Sequence, residues 1–266
     1  MDIFVKDIVN IMDDFAPVAL AQEWDNVGLL IGNYNQKVNK VLLALDLLDS
    51  VIDEAIENNA NHIITHHPPF FGNLYNINSS NPLGSKILRL LENKISLYVS
   101  HTNLDAADGG INDILFDIFE LKNKEYICEQ PNGAFIGRAG NFSRDINLKE
   151  LSLFVQKKLN LPYAIYCGNP IEIAKKIAIV GGSAANEGFF NSVLSSGCNV
   201  FITSDIKFHA AQKALEMGIN LIDATHFGSE SIFANNLKKY ISDKLNIECL
   251  VSKVDGQVFK NGENHV

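Results

Sequence analysis

Cysteine is sparse and scattered in this 266-residue chain, at Cys128, Cys167, Cys198 and Cys249, with no CxxC pair. That pattern excludes a disulfide framework and a thiolate zinc site, and it suits isolated thiols in a reducing compartment. Arginine is rarer still, at Arg89, Arg138 and Arg144, and Asp plus Glu outnumber Lys plus Arg by 31 to 22. The resulting net charge of −9 gives little long-range attraction for phosphate backbones, which makes nucleic acid a poor partner. No apolar run approaches the roughly 18 residues of a membrane span, and the first residues lack the basic-then-apolar order of a signal peptide. A cytoplasmic location is therefore expected. The P-loop pattern GxxxxGK[ST] is missing, as are a GxSxG elbow and a cysteine with a local activating signature. Covalent nucleophilic catalysis has little support.

What remains is an ordinary globular composition, 47% apolar and 20% charged, long enough for one large or two smaller domains. Ile3, Val5, Ile8, Val9, Ile11 and Met12 have helical spacing before Pro17. Short apolar runs at Val41–Leu45, His62–Thr65 and Ile95–Val99 read as strands. They alternate with helices expected near Asp49–Asn58, Ser85–Glu92 and Ile111–Phe119. A second series follows from about Cys128. It has strands at Gly133–Ala139, Ile177–Val180, Val200–Thr203 and Ile219–Asp223, and helices at Leu148–Leu159 and His209–Met217. Such alternation predicts an α/β protein of two layered α/β domains with mixed sheets, and no internal repeat is evident. The polar stretch from Ser252 onward reads as a tail with a disordered end.

The residues able to carry chemistry fall just after apolar strands, where ligand clefts form in open α/β sheets. His66 and His67 end one strand, and Pro68 and Pro69 break the regular alternation that would point adjacent rings to opposite faces. His101 and Asp105 follow another strand; the carboxylate can ligate or cap a helix, and the imidazole can ligate or orient a ligand. His226 and Glu230 are four apart, a spacing that places both on one face of a helix. Taken singly, each has a bland reading as loop histidines, a turn aspartate or a surface pair. Together they exceed the three protein ligands of one catalytic zinc, and the surplus favours two metals. Gly181-Gly182-Ser183 could present N–H groups to an anion or be a simple turn. Asp205, Lys207 and His209 read as residues that could face substrate; Asp205 equally reads as a helix cap and His209 as packing on the helix face. Trp24 reads as a pocket wall or a packing anchor, and Arg138 as an anion contact or, more readily, a surface or interface salt bridge.

Longer motifs carry a resemblance. WDNVGLLIG (24–32), THHPPFF (65–71), SHTNLDAADGGIND (100–113), SDIKFHAAQKALEMGINLIDATH (204–226) and HFGSE (226–230) resemble the GTP cyclohydrolase 1 type 2 homologs, the Ngg-interacting factor 3-like family. The matches run in order over nearly the whole chain. The resemblance implies the Ngg-interacting factor 3-like fold, with domains at 1–125 plus 228–266 and at 126–227. It also implies a dinuclear site of two divalent metal ions in the interdomain cleft and a toroidal homohexamer. His66, His67, Asp105, His226 and Glu230 would be the metal ligands, with His101 adjacent or ligating. Zinc, iron, manganese, cobalt and nickel all suit such donors. Pro69, Ser204 and Ser229 depart from residues common in the family, and none of them removes a proposed ligand.

The function expected on this basis is a metal-dependent hydrolase, in which metal-activated water attacks a nucleotide or a related or phosphorylated small molecule. With three arginines and no Gly-rich phosphate loop, the residues themselves lend GTP weak support. The alternative is a non-enzymatic metal-binding scaffold or metal-insertion accessory protein.

Overall fold

The structure, a computed structural model, describes residues 2–163 and 165–259. The chain forms two compact units, Met1–Asp108 with Phe233–Gly256 and Gly109–Ile232 with Gln257–Val266. The divisions fall at 108/109 and 232/233, where the resemblance suggested 125/126 and 227/228.

The first unit begins with α1 (Val5–Phe15), β1 (Gly28–Ile31), β2 (Lys40–Ala44), α2 (Asp49–Glu57), β3 (His62–Thr65), α3 (Pro82–Glu92), β4 (Ser96–Val99) and α4 (Thr102–Ala106). The second holds α5 (Ile111–Ile118), β5 (Lys122–Glu129), β6 (Phe135–Asn141), α6 (Leu148–Lys158), β7 (Ile165–Cys167), β8 (Ile177–Ser183), α7 (Glu187–Ser195), β9 (Val200–Ser204), α8 (Phe208–Glu216), β10 (Asn220–Asp223) and α9 (His226–Glu230). The chain then returns to the first unit with α10 (Phe233–Leu245) and β11 (Glu248–Val251).

The sheet of the first unit has the order β1-β4-β3-β2-β11, parallel except where β1 runs against β4. Its central strands β3 and β4 are buried at every position, which explains continuous apolar runs in place of alternation. Val51, Ile52 and Ala55 of α2 and Ile87 and Leu90 of α3 pack with Leu42, Ile63 and Leu97 of the sheet in one core. Helix α3 begins three residues earlier than its apolar pattern suggests. Asn81 accepts a bond from the Gly84 N–H at 2.7 Å, and Pro82 occupies the first turn, where its missing N–H costs nothing.

The second sheet, in the order β5-β6-β8-β9-β10-β7, is mixed, with β8, β9 and β10 parallel and the remaining pairs antiparallel. Helix α5 packs on β6 and β8, which places it in this unit. Strand β5, with Lys122, Lys124 and Glu125 exposed on a sheet edge, was not expected from sequence. Charge there protects an open row of backbone groups. Among the described residues, no helix is long and apolar enough to cross a membrane. The four cysteines are free thiols, and burial pushes those of Cys128 and Cys198 up to about 12, so neither is a ready nucleophile. The expected disordered tail falls partly on residues 260–266, outside the described residues.

Candidate metal centre

In the first unit, β3 ends where its neighbour β2 can still hold it. The His66 and His67 N–H groups bond to the carbonyls of Ala44 and Leu45 at 3.3 and 3.0 Å. The Thr65 hydroxyl then folds back to the His67 carbonyl at 2.9 Å, ending the regular pleat. Adjacent rings that a strand would send to opposite faces instead lie 5.0 Å apart, centroid to centroid. His101, one residue before α4, brings a third imidazole to 5.0 Å from His66 and 5.6 Å from His67. A ligating nitrogen from each of the three lies within 4.8 Å of the other two, a grouping able to hold a metal ion. Asp105, buried on α4, places a carboxylate oxygen 3.7 Å from His66 Nε2.

Each ring is oriented from behind. His66 Nδ1 donates to the Ser100 carbonyl at 2.9 Å, His67 Nδ1 to Asp46 at 2.8 Å and His101 Nδ1 to Asp25 at 2.8 Å. A carbonyl or an ionised carboxylate has no proton to offer, so Nδ1 must carry it and Nε2 of the neutral ring keeps its lone pair. Oxygen acceptors behind imidazoles are how metal-ligating histidines are fixed in tautomer and direction. Burial would raise the Asp25 carboxyl, but bonds from His101 and from the Thr102 amide and hydroxyl outweigh it and hold the group at about 2. Asp25 is thus a permanent anion behind His101.

The second unit carries its own donor pair. Thr225 caps α9 by accepting from the Gly228 N–H, and one helical turn brings His226 Nε2 to 2.9 Å from Glu230 Oε2. His226 Nδ1 meets Asp205 at 2.7 Å. Chiefly through the bond to Glu230, and then through Asp205, the imidazole is raised to about 9, which favours its protonated form. A divalent cation held by His226 and Glu230 would replace that proton.

Gly182 has a role different from the one its motif suggested. Its N–H is bonded to the Ser229 hydroxyl and that of Gly181 to Asn112, so the pair offers no cradle for an anion. At φ +66°, a Cβ on Gly182 would stand 2.0 Å from Glu230 Oε1. The glycine makes room for a buried carboxylate.

Several other expectations change. Asp205 does not cap α8, whose first-turn amides receive no side-chain cap; it orients His226. Arg138 is not on the surface. It is fully buried and paired with Asp113 at 2.5 Å, beneath the ring of Tyr126. Trp24 is 56% exposed, with its ring 5.9 Å from that of His101, and so is no core anchor. His209 is exposed and bonds Gln212, and Lys207 is exposed. Asp46 was missed altogether, because nothing local in Leu45-Asp46-Leu47 marks a partner 21 residues away.

Two mixed α/β sheets with histidine and carboxylate donors at their strand ends define a class of candidate metal-binding α/β proteins. The chain belongs to the Duf34/NIF3 (NGG1p interacting factor 3) family, whose model matches residues 3–257. A Clostridium perfringens protein named GTP cyclohydrolase 1 type 2 homolog is 36% identical over 253 residues, covering 94% of this chain and 96% of the relative. A Clostridium acetobutylicum protein of the same name is 37% identical over 233 residues, 86% of each. The crystal structure of a Staphylococcus aureus hypothetical protein superposes with a TM-score of 0.88 at 29% identity, covering 97% of this chain and 99% of that one. This is the Ngg-interacting factor 3-like fold expected from the motifs.

Proposed function

We propose that this protein is a metal-dependent hydrolase of a small molecule. It binds two divalent cations through His66, His67 and Asp105 of the first unit and His226 and Glu230 of the second, with His101 as a further donor. The observation that carries the reading is the convergence of donors: a nitrogen from each of His66, His67 and His101 lies within 4.8 Å of the other two, Asp105 comes to 3.7 Å from His66 Nε2, and His226 Nε2 lies 2.9 Å from the Glu230 carboxylate. The donor chemistry fits zinc, iron, manganese, cobalt or nickel, and Gly182 leaves the space that the Glu230 carboxylate needs.

When bound by these residues, a divalent cation would supply a water of lowered pKa and a polarising charge at the bond to be cleaved. The residues of the chain supply the rest. Asp25, Asp46 and Asp205 hold the imidazoles in direction, and the burial of His66, Asp105 and Glu230 limits competition from bulk water. All three arginines are committed elsewhere: Arg89 to Asp49 and Asp53, Arg138 to Asp113, and Arg144 over the Phe142 ring. This weighs against a tightly gripped triphosphate.

The test is turnover by metal-reconstituted protein against a panel of nucleotides, phosphoesters and amide-like compounds, with His66→Ala and Glu230→Ala as controls. Hydrolysis lost in both variants supports the reading. Hydrolysis retained in both contradicts it. The family resemblance also supports assembly as a homohexamer, for which light scattering should give six times the 29.4 kDa chain mass.

A further inference from the structure

A cavity of about 350 Å³ opens in the first unit on the flank of His67. Ligand sites span roughly 300–1,000 Å³, so this one suits a single ring with its substituents. Its apolar lining is Leu47, Leu48, the buried Pro68, Pro69, Pro82 and Leu83. Three prolines bring no backbone N–H to this wall, which leaves it carbon-rich and rigid.

Polar recognition therefore falls to side chains. Besides His67, the cavity is lined by Asp46 and Lys86. Asp46 already accepts the His67 Nδ1 proton at 2.8 Å. Lys86 Nζ donates one bond, to the Leu47 carbonyl at 2.8 Å. An ammonium has three N–H donors, so two remain for a ligand. Among the described residues Lys86 has no carboxylate within ion-pair distance, so its charge can meet a single negative charge on a ligand. A triphosphate would bring several, and the Asp46 carboxylate would repel them.

From this geometry we infer that the cavity beside His67 is the substrate-binding site, and that it takes a compact, ring-bearing carboxylate in preference to a nucleoside triphosphate. The ring packs on the proline wall, and the carboxylate meets Lys86. As the site of the substrate, the cavity rests on the hydrolase reading above; as a binding site, it stands without metal.

The test uses the full chain, first metal-free and then zinc-loaded, with benzoate, benzamide and GTP as probes and ligand-observed NMR as the readout. Benzoate should bind in the metal-free protein. Lys86→Met should weaken benzoate at least tenfold and benzamide less than twofold, while Lys86→Arg restores benzoate to within about threefold. Leu83→Trp, which fills the cavity, should abolish binding of both rings. GTP should fail to displace benzoate at equal concentration. Benzoate affinity unchanged by Lys86→Met or by Leu83→Trp would overturn the inference, as would displacement by GTP. Should Lys86→Met not fold, Leu83→Trp and the GTP competition decide the same question. A protein that binds benzoate in this way but takes up no metal would refute the hydrolase reading and leave the cavity assignment standing.

Discussion

Replacing Gly182 by alanine tests the carboxylate site with the smallest perturbation available. The new Cβ would stand 2.0 Å from Glu230 Oε1, whereas a Cβ essentially never approaches another heavy atom closer than 3.0 Å. The carboxylate must therefore retreat by about 1 Å, while metal–oxygen bonds tolerate only about 0.2 Å of error. Glu230 is the flexible end of a side chain, so the collision is relieved by moving the ligand and not the sheet. The backbone adds a separate cost, because φ at Gly182 is +66° and a Cβ in the left-handed region costs about 1–2 kcal/mol. That alone should lower the melting temperature by a few degrees. Gly197→Ala is the matched control, with φ +73° and nothing within 4 Å of the added carbon. Zinc competition titrations and thermal melts on the two variants separate the effects. Both should melt slightly lower, and only Gly182→Ala should lose metal affinity, by more than tenfold. Equal metal affinity in the two variants would refute the role given to Glu230.

Other consequences are equally concrete. Asp25→Asn removes the fixed anion behind His101 and should weaken metal binding by about 10- to 100-fold, measured by equilibrium dialysis with elemental analysis. His62 is fully buried, donates Nδ1–H to Ser96 Oγ at 2.7 Å and leaves Nε2 without a hydrogen bond; burial lowers it from 6.5 to about 3. Its depressed value means that stability is intact above pH 6.5 and falls as the unfolded chain takes up the proton below it. Urea unfolding at pH 7 and pH 5 should show the wild type losing about 2 kcal/mol more than His62→Leu. Arg138→Met leaves Asp113 with Lys124 and the Gly109 N–H but without its buried cation, and loss of one partner from a buried pair should cost about 3–5 kcal/mol in the same assay.

The legible parts of the fold were those where local pattern and tertiary role agree. Strands β2, β3 and β4 each hold an unbroken apolar run, at 41–44, 63–64 and 97–99, because both faces are covered there, and the run of letters announces it. Strand β5 is invisible for the opposite reason. Its residues KNKEYICE are mostly exposed on an edge, and only the ladder to β6 makes them a strand. Helix α10 did carry a signal, with Phe233, Ala234, Leu237 and Ile241 at helical spacing and all buried. The site divides in the same way. His226 and Glu230 are readable because one helical turn joins them, and His66-His67-Pro68 because the proline forces the strand to stop. Asp25, Asp46 and Asp205 are not readable as orienting groups, since each meets its imidazole across 76, 21 and 21 residues of chain. Gly182 misleads for a related reason: only the folded chain shows that its missing side chain serves a carboxylate 48 positions further on.

Anomalous X-ray diffraction from crystals of chelator-free protein tests most directly whether these imidazoles hold cations. Two anomalous peaks per chain are expected, each about 2.0–2.2 Å from Nε2 of at least one of His66, His67, His101 and His226. Crystals grown with added zinc that show no such peak, or peaks only at other residues, would contradict that expectation.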